Sequence, residues 1–240
     1  MRSRAPLAGT GGVVRELVHI AVGDASLAGE IAYPESEPPR FAAVLVNPHP
    51  HMGGSMQNKL IAALATGLAD AGAATLRFDY RGVGQSDGTQ VDLAESLAEF
   101  WRRGQAPEDP LMVEDARAAI DWMSKTVHAP RVVVGYSFGS YAAVQALRAA
   151  PDGLILISPT IAQHDLSRIA ELAPRSLVLY SDNDFATPGD MTRRWVSLFD
   201  FPILSICYGD AEHFFRGREQ TVTFDCLRFI NSALTAGEAA

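Results

Sequence analysis

Short apolar runs rich in β-branched residues recur along the chain, and stretches with helical periodicity separate them. The runs are Leu17–Val22, Leu27–Tyr33, Ala42–Val46, Thr75–Phe78, Arg131–Val134, Leu154–Ile157, Leu177–Tyr180 and Ile203–Cys207. From Ala42 onward they are continuous rather than alternating, the pattern of strands covered on both faces. Between them, Met56–Ala71, Leu111–Lys125, Tyr141–Ala149, Met191–Leu198 and Thr221–Leu234 repeat their apolar residues at helical spacing. Strand and helix in alternation predict one α/β domain over residues 1–240, with a mostly parallel sheet and helices on both faces. The first two runs flank Gly23-Asp24-Ala25-Ser26 and predict a leading antiparallel hairpin. Residues 1–14 read as a flexible N-terminus.

Within this pattern, Gly135-Tyr136-Ser137-Phe138-Gly139 joins a predicted strand to a helix beginning near Ser140. G-x-S-x-G in a strand–turn–helix setting lifts the serine hydroxyl above the sheet on a strained turn. A serine needs a base to take its proton, and in this arrangement the partners follow in the order serine, acid, histidine. His19, His49, His51 and His128 precede Ser137, and His164 precedes the candidate acids, which leaves His213. It lies in a predicted loop after the Ile203–Cys207 strand. The acid is Asp182 or Asp184, in the turn after Leu177–Tyr180; Asp184 is favoured because it lies further out of the strand. The other aspartate is expected to cap the turn or accept backbone hydrogen bonds.

Acyl transfer also needs donors aimed at the developing oxyanion. The Phe138 N–H is one expectation. The second falls in Asn47-Pro48-His49-Pro50-His51-Met52-Gly53-Gly54, where the prolines carry no N–H. His49 is the first available donor there, with His51 or Met52 next. The paired histidines have no carboxylate or cysteine beside them in the loop, so no metal and no cofactor is expected.

Charge and composition narrow the partners. Twenty basic against twenty-eight acidic residues leave a formal charge of −8, which disfavours nucleic acid and anionic membranes. The N-terminal residues lack the apolar core of a signal peptide, and no apolar run is long enough to span a bilayer. A cytoplasmic location and two buried free thiols, Cys207 and Cys226, are the corresponding expectations.

These residues resemble the α/β-hydrolase superfamily over nearly the whole chain. The stretch Asn47–Met56, followed by Arg81-Gly82-Val83-Gly84-Gln85-Ser86, is similar to a small, nearly capless branch akin to dienelactone hydrolases. That branch carries an H-P-H-P-x-x-G-G-[ST]-M loop and an R-G-V-G-x-S turn. The resemblance implies that Asp184 and His213, the latter in a G-x-x-H-F-F-like loop, complete a triad with Ser137. One position departs: Asn47 stands where the branch has its first histidine. Arg81 and Asp87 are expected to brace loops.

Only about twenty residues separate Leu154–Ile157 from Leu177, too few for a cap domain. The extra length lies in 88–110, where Leu93, Leu97, Phe100 and Trp101 follow helical spacing and predict an inserted helix near the site. Phe100, Trp101 and His51 are candidate pocket residues. The sequence thus points to a metal-independent serine hydrolase acting on an ester or thioester of a small or medium organic acid. Acyl transfer or cyclisation with the same residues, and a non-catalytic ligand-binding member of the fold, are the alternatives.

Overall fold

A computed structural model describes residues 12–172 and 174–235. Eight strands form one sheet in the order β1-β2-β4-β3-β5-β6-β7-β8. β1 (Val13–Val22) and β2 (Ala25–Pro34) are the predicted antiparallel hairpin, turning through Gly23 at φ 58°. β1 begins four residues before the predicted start, so residues 13 and 14 of the expected flexible segment are strand. The rest of that segment, 1–11, lies outside the described residues.

β3 (Phe41–Val46), β4 (Ala73–Phe78), β5 (Arg131–Tyr136), β6 (Gly153–Ile157), β7 (Ser176–Asn183) and β8 (Ile203–Glu212) run parallel. Every residue of β3 and β6 is buried, as continuous apolar runs require when helices cover both faces. One face carries α1 (Lys59–Asp70) and α7 (Glu219–Thr235), whose Leu64, Leu68, Val222 and Ile230 pack on Leu45 and Val134. The other carries α3 (Asp109–Thr126) and α4 (Phe138–Ala146), with Ala116, Ile120 and Val144 against Val44 and Val133. In chain order, α2 (Leu93–Arg103) precedes α3, while α5 (Ile169–Leu172) and α6 (Gly189–Val196) flank β7. Among the described residues no cap domain interrupts the series, and the only helix in the β6–β7 connection is the four-residue α5.

Side-chain ties brace the loops at the carboxyl ends of the strands. Arg81 pairs with the buried Asp115 at 2.7 Å, and Asp87 Oδ2 accepts the Ser26 N–H at 3.1 Å. The cysteines differ from expectation. Both are free, but only Cys226 is buried; Cys207 is exposed because β8 is an edge strand. Among the described residues, no helix is long and apolar enough to cross a membrane.

Candidate active site

Parallel strands deliver their carboxyl-end loops to one edge, where sites on open α/β sheets gather. β5 ends there in a turn that only glycines permit. A Cβ on Gly135 would lie 2.5 Å from the Gly139 oxygen, and one on Gly139 would lie 2.2 Å from the Val46 oxygen. Strand, turn and helix therefore close tightly, and Ser137 is held at φ 55°, ψ −122° as the residue before α4. That strained left-handed backbone sets its hydroxyl at the positive end of a helix dipole.

His213 follows directly on β8, which runs five residues past the predicted strand end. Its Nε2 lies 2.9 Å from Ser137 Oγ, and its Nδ1 lies 2.8 Å from each Asp184 oxygen. The three residues are buried. The Tyr136 hydroxyl donates to the His213 carbonyl at 3.2 Å and fixes the loop from below. Burial alone pushes the Asp184 carboxyl up. The hydrogen bond and charge of His213, with the Thr187 N–H and Ser158, outweigh it and hold the group below its ordinary range.

The two aspartates of the β7 turn behave differently. Asp182 is exposed and accepts from Arg193 Nη2 at 3.2 Å. Asp184 also accepts the Ala186 and Thr187 N–H groups, at 2.8 and 3.1 Å. The backbone-accepting role expected of the other aspartate thus falls to Asp184 itself.

The loop after β3 forms a single 3-10 turn at Pro50–Met52. Its amides are mostly used internally. The His51 N–H donates to His49 Nδ1 at 3.3 Å, and the Met52 and Gly54 N–H groups donate to the His49 carbonyl at 2.9 and 3.1 Å. Among the described residues, no acceptor is paired with the His49 N–H or with the Phe138 N–H at the first position of α4. Asn47, the departure from the resembling branch, donates through Nδ2 to the Phe78 carbonyl and accepts the Tyr80 hydroxyl on its own carbonyl at 2.9 Å. It therefore ties the β3 and β4 ends together.

A cleft opens over Ser137. His51, Phe100 and Trp101 all line it. Phe100 packs on the His51 ring at 5.1 Å between centroids, whereas Trp101 remains 68% exposed. Burial and the neighbouring His49 lower the His51 pKa to about 3, so that ring is neutral.

Four lining residues had no functional signal in the sequence. Phe185 packs on the His213 ring at 4.8 Å. Asp109, from the start of α3, lies 3.4 Å from His49 Nε2 and 3.3 Å from His164 Nε2. His164 Nδ1 is 2.9 Å from Thr160 Oγ1, and Gln163 lines the same cleft. Burial pushes the Asp109 carboxyl up, but the neighbouring His164 and His49 imidazoles prevail, bringing it down to about 2. Among the described residues, no group of three or more histidines, cysteines or carboxylates has the arrangement of a metal site.

Known proteins agree with this architecture. A Rickettsia prowazekii protein, named uncharacterized protein RP471, is 29% identical over 190 residues, covering 72% of this chain and 71% of that one. The solved structure of an α/β serine hydrolase homologue from Coxiella burnetii is 25% identical, with a TM-score of 0.75 over 89% of this chain and 96% of that one. A lid-less α/β serine hydrolase from Xanthomonas campestris shares the fold, with a TM-score of 0.75, 23% identity and coverage of 95% and 97%. The family model described as Hydrolase_4, serine aminopeptidase S33, matches residues 50–186, more than half of the chain, from the 3-10 turn past Ser137 and Asp184. The chain belongs to that family, among the α/β serine hydrolases.

Proposed function

We propose that this hydrolase cleaves an ester or thioester of a small or medium organic acid through an acyl-serine. The observation that carries the reading is the 2.9 Å contact of Ser137 Oγ with His213 Nε2, made on a strained turn beside two unpaired N–H groups. Ser137 Oγ attacks the carbonyl carbon while His213 Nε2 takes the hydroxyl proton. Asp184, on Nδ1, holds the tautomer that leaves Nε2 free to accept and stabilises the imidazolium that forms. The Phe138 and His49 N–H groups receive the oxyanion. The tetrahedral intermediate collapses, the carbon–oxygen or carbon–sulfur bond breaks, and His213 returns its proton to the leaving group. Water, deprotonated by the same nitrogen, then releases the acid and restores Ser137. The aromatic lining contributed by Phe100, Trp101 and Phe185 supports an organic acyl or leaving group rather than a small ion.

A fluorophosphonate is expected to add to Ser137 once per chain. A panel of p-nitrophenyl esters, acyl-CoA thioesters and aminoacyl p-nitroanilides then reads the bond cleaved. No labelling of the folded protein overturns the nucleophile. Turnover confined to the anilides overturns the ester reading while keeping the serine.

A further inference from the structure

The cleft carries more polar chemistry than the proposed acyl transfer uses. His49 is 3% exposed, and because its Nδ1 accepts the His51 N–H, its ring proton is placed on Nε2. That Nε2 is buried without a hydrogen-bond partner; Asp109 Oδ1, at 3.4 Å, lies outside hydrogen-bonding geometry. Gln163 donates through Nε2 to the Ala186 carbonyl at 2.6 Å, and its Oε1 is buried and unpaired. Asp109 itself is 5% exposed and ionised, accepting from the Ala106 N–H and His164 Nε2 at 3.1 and 3.3 Å. The Glu108 carboxylate stands 3.9 Å from His49 Nε2 with Oε1 unpaired. Among the described residues, no lysine or arginine lines the cleft.

A buried polar atom left without a partner carries the full cost of its lost hydration. One donor and several acceptors line this cleft, next to the Asp109 carboxylate. A carboxylate brought here meets like charge and finds a single donor. A methyl group leaves every orphan unpaired. A hydroxyl both accepts from His49 Nε2–H and donates to Gln163 Oε1 or Asp109, and it carries no charge. His49 also lies on a definite side of the reacting carbonyl. The leaving group must sit by His213, whose ring packs on Phe185 at 4.8 Å, to receive its proton. His49 and His164 pack instead on the far side, edge-on to Phe138 at 5.1 and 5.3 Å.

Building on the acyl-serine reading, we infer that His49, Asp109 and Gln163 form a subsite for a hydroxyl on the acyl part of the substrate. This subsite selects hydroxyacyl esters over their methyl-ended isosteres and rejects carboxylate-ended ones. Discrimination of this kind is strong, because a site built to hydrogen-bond a substrate group leaves its own buried atoms unpaired when that group is missing.

The test is a series of ethyl esters of ω-hydroxy acids of graded length, each against its methyl-ended and carboxylate-ended counterpart, followed by pH-stat titration. At the length that spans the cleft, kcat/KM is expected to favour hydroxyl over methyl by about tenfold or more, and hydroxyl over carboxylate by about a hundredfold or more. Gln163→Leu is expected to reduce the hydroxyl-to-methyl ratio about tenfold. Asp109→Asn is expected to reduce the hydroxyl-to-carboxylate ratio by at least as much. Ratios within one variant cancel any general loss of catalysis. Kd values of the matching N-methylamides, from calorimetry, are expected to follow the same order without turnover.

A methyl preference at every length, equal turnover of the carboxylate esters, or ratios unchanged in both variants overturns the subsite. A hydroxyl preference seen only on the alcohol portion also overturns it. Ordered amide binding without hydrolysis of any ester upholds the subsite and overturns the acyl-serine reading instead, so the two fail separately.

Discussion

Two chains of hydrogen bonds with the same ingredients face one cleft. Asp184, His213 and Ser137 form one; Asp109, His164 and Thr160 form the other, and all six side chains are buried. The hydroxyl–imidazole distance is 2.9 Å in both. The rings are mounted in opposite senses: His213 presents Nδ1 to its carboxylate at 2.8 Å, whereas His164 presents Nε2 at 3.3 Å. The larger difference lies in the backbone. Ser137 is strained at φ 55° on the turn that opens α4, beside amides with no acceptor. Thr160 sits in a turn whose Gln163 and His164 amides bond back to its own carbonyl at 3.1 and 2.9 Å. A hydroxyl, an imidazole and a carboxylate in series do not by themselves make a nucleophile. The strained turn and free N–H groups are what would stabilise charge developing on a reacting carbonyl.

Substitutions can break or sharpen this comparison, from the largest expected effect to the smallest. Ser137→Ala is expected to lower kcat by about 10⁴-fold or more, leaving only binding and oxyanion contributions. A variant keeping more than a tenth of wild-type turnover removes Ser137 from its role. Asp184→Asn comes next, at about 10³- to 10⁴-fold in kcat, since a mis-set tautomer disables the base. Asp182→Asn, exposed on Arg193, is expected to stay within a few-fold; the reverse ranking transfers the role to Asp182. Phe100→Ala is expected to shift chain-length preference in kcat/KM by about tenfold while sparing p-nitrophenyl acetate. A parallel loss on every ester makes the ring a packing element only.

The second chain gives smaller and different effects. The Asp109 carboxyl is brought from its ordinary value near 4 to about 2 by its imidazole partners, against the opposing effect of burial. A lowered acid pKa stabilises the fold fully above the unfolded value and loses that contribution as pH falls through the folded one. The Tm gap between wild type and Asp109→Asn is therefore expected to be constant above about pH 4 and to narrow toward pH 2. A gap that does not change over that window contradicts the ion pairing. Thr160→Val is the smallest, expected to leave turnover of p-nitrophenyl acetate within about threefold. A loss comparable with that of Ser137→Ala would make the second chain catalytic and erase the distinction.

The alternation of apolar runs and periodic segments was enough to read the parallel sheet, its leading hairpin and the absence of a cap, because burial of whole strands and helix faces is a local, periodic demand. The serine turn was equally legible. Its glycines are required by contacts within a few residues, and its geometry follows from them. Chain order left His213 alone among the histidines, since parallel strands carry their ends to one edge, but it left both Asp182 and Asp184 open.

What the tertiary structure decided is which neighbours meet across long separations. Asp182 and Asp184 are two residues apart, and a register irregularity between Ser181 and Asn183 leaves one in solvent and the other on His213. The edge position of β8 exposed Cys207, although its strand reads like the buried ones. His164 was set aside by chain order. Its meeting with Asp109, 55 residues earlier, depends on how α3 packs beside the turn after β6. Periodicity fixes which face a residue turns, within its own element. It carries no information on which polar group from a distant element will be buried opposite, and that pairing set the chemistry of the cleft wall.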